Sequence, residues 1–345
     1  MKDSKTFDVS FSKTTLMEKE LKKALELLIS DHIHTKEKVR EFNLELFKLY
    51  PFSFLETFFS YTVAMLFLFK ELNLQKEDTV ILSAYSDDTL FSLLKQENIT
   101  PVICDVDKKT GVIDFSLLKE IKTPVKAIFT DVPFFWDEQI NSFSEEIPLI
   151  LNMTNQFGES WPPQIGDSKK KIIYTVNYKN NAFIDTCGNG CSVFTNSLYF
   201  SKKWENIFEN QSPFKDLFIT NLQAVVGLEQ LKKCDNFLIT RQNIAKEYDE
   251  VFKDQAFITP NTKIPYLFYP VKVENQHIDS LKDIFKNHGI QVKNFHEQSL
   301  LSSLTLKELY PRALYLENHL LCFPIYPTLK ALQIKKILLL ASRVF

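Results

Sequence analysis

Glycine is scarce in this chain: 7 residues in 345, against 31 phenylalanines. Sites that hold phosphate through backbone amides lean on glycine, because a missing side chain lets the ligand approach the N–H groups. The shortage counts against a site built that way. Cysteine is also sparse, with five scattered residues. An odd count, and an N-terminal stretch Met1–Thr15 without the apolar core of a signal peptide, read as reduced thiols in a cytoplasmic protein. Cys187 and Cys191 have a metal-like spacing, but no nearby His or Cys completes a tetrahedral set. A large excess of charge of one sign is missing too. The formal net charge is -2, so nothing global points to nucleic acid or an anionic membrane. The longest apolar run, Pro51 to Phe69, has Glu56 as its only charge, yet Ser53, Thr57, Ser60 and Thr62 interrupt it and Lys70-Glu71 follow. It reads as a buried segment, not a membrane span.

What is present is a globular composition, 45% hydrophobic and 24% charged, long enough for two lobes. Residues 1–50 are polar and then helical, with an apolar face at Leu21, Leu25 and Leu28 and another helix over Val39 to Leu49. From Pro51 strands and helices alternate. A helix over Ser60 to Leu72 precedes a strand at Thr79–Leu82, then a helix at Asp88–Gln96 and a strand at Pro101–Cys104. A helix at Asp114–Ile121, a strand at Ala127–Thr130 and three further strand-like runs follow: Ile147–Leu151, Ile172–Tyr178 and Ser192–Thr195. Such alternation predicts a large, mostly parallel sheet covered on both faces. A long helix over Leu222 to Val251 then leads to a mixed ending: a strand at Tyr266–Val273, a helix at Ile278–His288, a strand after Gly289 and a helix at Leu329–Ser342. The expected division is a helical segment 1–50, a large domain 51–235 and a small α/β domain 236–345.

Three segments carry a resemblance. Asp105-Val106-Asp107-Lys108-Lys109-Thr110-Gly111-Val112-Ile113-Asp114 looks like a "DVDPxTGxID" motif. Leu222-Gln223-Ala224-Val225-Val226-Gly227-Leu228-Glu229-Gln230-Leu231 is similar to an "LQAAxGLxQL" helix, with Arg241, Ala245 and Tyr248 in register. His319-Leu320-Leu321-Cys322-Phe323-Pro324-Ile325-Tyr326-Pro327 looks like "xVLxLPxYP". In this order they resemble the DegT/DnrJ/EryC1/StrS aminotransferases, sugar-acting members of the fold-type-I pyridoxal-phosphate (PLP) enzymes. The resemblance implies that fold, PLP as cofactor, a sugar or nucleotide-sugar substrate, and a homodimer or a heterodimer with an active paralogue.

PLP chemistry needs a lysine for the Schiff base, an acid that keeps the pyridine nitrogen protonated, and phosphate donors. The resemblance maps these duties onto this chain with substitutions. The acidic turn of the family corresponds to Leu151 through Gly158, which puts Asn152 at the acid and Asn155 beside it. Counting five residues back from Gly188 gives Phe183 where the lysine belongs, and Lys179 is the nearest lysine. The phosphate turn is Ser60-Tyr61-Thr62, with Tyr61 in place of glycine. Tyr85 lies near the position of a ring-stacking aromatic, and His296 near a substrate-side histidine. Two readings follow: a PLP aminotransferase using Lys179, Asn152, Asn155, Ser60, Thr62 and Tyr85, and a non-catalytic homologue serving as a binding or dimer-partner protein.

Overall fold

In the computed structural model the described residues are 7–33, 35–50, 52–143, 146–158, 169–178, 182–209, 216–258, 264–273, 278–296 and 299–345. Seven strands make one sheet: β1 (Phe54–Phe58), β2 (Thr79–Ser83), β3 (Thr100–Cys104), β4 (Val125–Asp131), β5 (Leu149–Asn152), β6 (Ile172–Asn177) and β7 (Cys191–Thr195). Their spatial order is β1-β7-β6-β5-β4-β2-β3. The five central and right-hand strands run parallel, while β7 lies antiparallel to both β6 and β1. These strands are apolar on both faces, as parallel strands covered on two sides must be. Ile81, Ile128, Leu149 and Leu151 enter one core with Val39, Phe42 and Leu46 of α2 (Glu37–Leu49). Val80, Leu82, Ala127, Phe129 and Ile150 enter the other. That second core is covered by α3 (Tyr61–Glu71), α4 (Thr89–Gln96) and α5 (Leu198–Glu209).

The apolar run after residue 51 is thus divided between edge strand β1 and helix α3, a split that uniform hydrophobicity conceals. Ser60 ends the strand with an extended backbone and caps α3, accepting from Val63 N–H at 3.3 Å. Among the described residues no helix is long and apolar enough to cross a membrane.

Three sequence expectations are corrected. The single helix expected over Leu222–Val251 is two helices, α6 (Asn221–Leu231) and α7 (Cys234–Phe252), broken at Lys232 and Lys233. The break is fixed by Glu20, a buried acid on α1 (Glu18–Leu28) that accepts from Lys233 Nζ and Gln230 Nε2. Burial alone would raise the Glu20 pKa; the Lys233 and Gln230 hydrogen bonds outweigh it and hold the carboxyl below its ordinary value.

The same polar knot reverses the expected orientation of α1. Glu20 and Leu27 face inward, whereas Leu21, Leu25 and Leu28 are 61%, 51% and 48% exposed. Finally, Gly289 is followed by isolated bridges, Ile290 to Val9 and Lys293 to Cys322, where a strand was expected. Asp114–Ile121 forms a 3-10 helix over Phe115–Glu120.

Beyond α6 a separate apolar cluster gathers Ile244, Tyr248 and Phe252 of α7 with a two-stranded antiparallel sheet, β8 (Phe268–Lys272) and β9 (Leu320–Pro324). Helices α8 (Ile278–Asn287) and Ala331–Val344 complete it. Arg241 is buried and donates to the carbonyls of Tyr266 (2.8 Å) and Ile325 (2.6 Å), and burial brings its pKa down to about 9.

Candidate cofactor and substrate cleft

Because β4, β5 and β6 run parallel, their last residues, Asp131, Asn152 and Asn177, stand on one edge of the sheet. Ligands of open α/β sheets bind outside this carboxyl edge. A cavity of about 670 Å³ opens there, large enough for a cofactor and a sugar. Asp131, Asn152, Thr154, Asn155 and Asn177 form its floor. Tyr61 of α3 and Asp87 and Asp88 at the start of α4 form one wall. Lys293, Asn294, Phe295 and His296, from the part of the chain beyond α8, face them, together with Phe11.

The floor is hydrogen-bonded across three strands. Asn152 Nδ2 donates to Asp131 Oδ1 at 2.6 Å. Asn152 Oδ1 accepts from Thr154 N–H at 3.2 Å and from the Thr154 hydroxyl at 2.5 Å. The Thr154 oxygen in turn accepts from Asn177 N–H at 2.9 Å. The orientation of the Asn152 amide follows from these partners, since a carboxylate only accepts and an amide N–H only donates. Asn152 and Asp131 are register partners on adjacent strands, which places their side chains side by side at the edge.

Tyr61 lies over this floor. Burial, then the charges of Asp131 and Asp87, raise its phenol pKa far above the ordinary value, so it stays protonated and able to donate. The Lys293 ammonium lies over the Phe11 ring, 5.3 Å from its centre, and burial lowers its pKa.

The sequence-derived residues fall in different places. Asn152 and Asn155 line the cavity, as does His296. Ser60 Oγ is engaged in capping Val63 N–H, and Thr62 is exposed and outside the lining. Tyr85 is buried behind the wall, its ring stacked on Phe295 at 5.2 Å and edge-on to His296 at 5.0 Å. Lys179 lies outside the described residues; Asn177 and Ala182, on either side of it in sequence, both line the cavity. Phe183 is 1% exposed and belongs to the core, 5.9 Å from the Phe157 ring and 6.3 Å from Phe237. Asp131 was not singled out from the sequence. Its position as the last residue of a strand at the carboxyl edge is the signal that would have found it.

The DegT/DnrJ/EryC1/StrS aminotransferase family model matches residues 14–131 and 187–339. The chain belongs to this family. The two matched stretches flank 132–186, which carries Asn152, Asn155 and Lys179. A UDP-4-amino-4,6-dideoxy-N-acetyl-beta-L-altrosamine transaminase of Helicobacter pylori is 20% identical over 333 residues, 89% of this chain and 86% of that protein. Among solved structures, the aminotransferase TlmJ of Streptoalloteichus hindustanus superposes with a TM-score of 0.82 at 16% identity, covering 97% of this chain and 98% of that one. The Escherichia coli GDP-4-keto-6-deoxy-D-mannose-3-dehydratase with bound hydrated PLP gives a TM-score of 0.82 at 18% identity, covering 97% and 100%. The fold is therefore that of fold-type-I PLP enzymes.

Proposed function

We propose that this family member binds PLP and a nucleotide-linked sugar in the cleft and acts as a sugar aminotransferase. The observation that carries the reading is the 670 Å³ cavity at the carboxyl edge, with the hydrogen-bonded Asp131–Asn152 pair in its floor. When bound, PLP supplies an electron sink for chemistry at a carbon bearing nitrogen. The donor set fits the group at its ring end, where Asn152 and the Asp131 carboxylate would face the heterocycle and the protonated Tyr61 hydroxyl could donate. Asp87 and Asp88 stand on the same wall and oppose a phosphate there, so affinity should be modest and salt-sensitive. Lys179 is the amine assigned to hold the cofactor covalently. Lys293, Asn294 and His296 would face the sugar and its diphosphate, with Lys293 as the cation.

The test is an absorbance spectrum of the purified protein with added PLP, before and after borohydride. A reducible band in the wild type, absent from Lys179→Ala, is the expected result. A specific observation favours a second reading, a non-catalytic homologue: the position five residues before Gly188 is Phe183, sealed in the core. That reading expects a folded protein with no reducible band that still binds a nucleotide sugar in calorimetry.

For the assembly we infer a homodimer that meets through α1. Met17, Leu21, Leu25 and Leu28 follow one another at helical spacing and are all exposed, a stripe whose burial is favourable. Leu25→Glu should convert the dimer to monomer in light scattering; an unchanged mass would place any interface elsewhere.

A further inference from the structure

The cleft poses a question of charge. A pyridine nitrogen keeps its proton when a carboxylate faces it, and a neutral amide cannot supply that charge. Asn152 is also engaged: its oxygen accepts twice from Thr154 and one N–H of its amide donates to Asp131.

Resting on the PLP reading above, we propose that Asp131, one strand over on β4, is the acid that holds the proton on the cofactor's ring nitrogen, and that Asn152 is its positioning residue. Asp131 and Asn152 end adjacent parallel strands in register, and both line the cavity. The 2.6 Å bond from Asn152 Nδ2 engages Asp131 Oδ1 and so tethers the carboxylate to the end of β5. In this arrangement the negative charge has moved from the end of β5 to the end of β4, and the amide at the old position anchors it. The proton comes from solvent and sits on the ring nitrogen; Asp131 stays ionised, and no bond other than that N–H forms. An opposite charge within about 4–6 Å raises the pKa of a cation by about 1–3 units, a tenfold to thousandfold change in the ratio of protonated to unprotonated nitrogen.

The experiment uses full-length protein with PLP labelled with 15N in the ring, read by NMR at pH 8. The wild type should show the shift of a protonated nitrogen. Asp131→Asn, which is nearly isosteric and retains a carbonyl toward Asn152, should show the unprotonated shift and bind PLP about tenfold more weakly. The exchanged pair Asp131→Asn/Asn152→Asp, which returns the carboxylate to β5, should restore the protonated shift. This also serves if the single variant melts too low to study. A protonated nitrogen in Asp131→Asn equal to the wild type overturns the assignment of Asp131 and leaves the cofactor reading intact. Wild-type protein that binds no labelled PLP overturns the cofactor reading, and the assignment falls with it.

Discussion

Glu56→Gln should raise the melting temperature by several degrees at pH 8 and leave it unchanged at pH 4. Glu56 lies on β1 in contact with α2, where Asn43 Nδ2 donates to its Oε1 at 2.6 Å and Thr57 N–H donates at 3.1 Å. Burial raises its pKa from 4.5 to about 7, against the opposing effect of these two hydrogen bonds and of Lys36. The carboxyl anchors a chain of hydroxyls. Thr57 donates to Asn43 Oδ1 at 2.7 Å, so Ser192 must donate to Thr57 (2.7 Å), and Tyr178 to Ser192 (2.8 Å). A group whose folded pKa is raised contributes stability that is fully present below its unfolded pKa and lost as pH rises through the folded one. The contribution of Glu56 is therefore complete below pH 4.5 and gone above about 7. A glutamine accepts the same two hydrogen bonds and never ionises. Discounting for the partial exposure of this side chain, the gain at pH 8 is about 2 kcal/mol. Thermal melts across pH 4 to 8 check it. A shift of equal size at both ends would show that titration of Glu56 is not the cause.

The same residues mark how far the sequence could be read. The alternation of strands and helices, with its apolar runs, specified the large sheet, because parallel strands buried on both faces leave a strong local signature. Boundaries of α3, α4, β2 and β6 lie within a residue or two of their expected positions. Where the reading of α1 and of the α6–α7 boundary failed, a non-local polar contact stands at the site. Leu21, Leu25 and Leu28 form the stronger apolar face of α1, yet the Glu20–Gln230–Lys233 knot turns the other face inward. The break between α6 and α7 has the same origin. In the cleft, motif positions located Asn152 and Asn155, but a motif cannot say which side chain of a neighbouring strand stands beside them. The end of β4 marks Asp131 as an edge residue, and the register of β4 with β5 shows it to be the neighbour of Asn152.

Gly158→Ala should destabilise the protein by about 3 kcal/mol, measured as a lower urea midpoint with an unchanged slope. Gly158 has φ +99°, a backbone that L side chains rarely adopt. A Cβ there would stand 2.6 Å from Phe183 Cζ and 2.7 Å from Cε1. The ring cannot give way freely, since Phe157 and Phe237 pack against it and the Arg241 guanidinium lies 5.5 Å from its centre. Left-handed strain of about 1–2 kcal/mol and overpacking of about 1–3 kcal/mol therefore add. Phe183→Ala alone should cost about 3–5 kcal/mol. The double variant should cost less than the sum by about 1 kcal/mol or more, because removing the ring relieves the clash. Strict additivity would mean that the two residues do not share this space. The coupling bears on function: the seat above Gly158 holds a packed aromatic ring that is 1% exposed and is not among the residues lining the cleft. Phe183→Lys should therefore bury an unpaired ammonium and unfold the protein without producing a borohydride-reducible band, whereas a lysine reaching the cleft from this position would produce one.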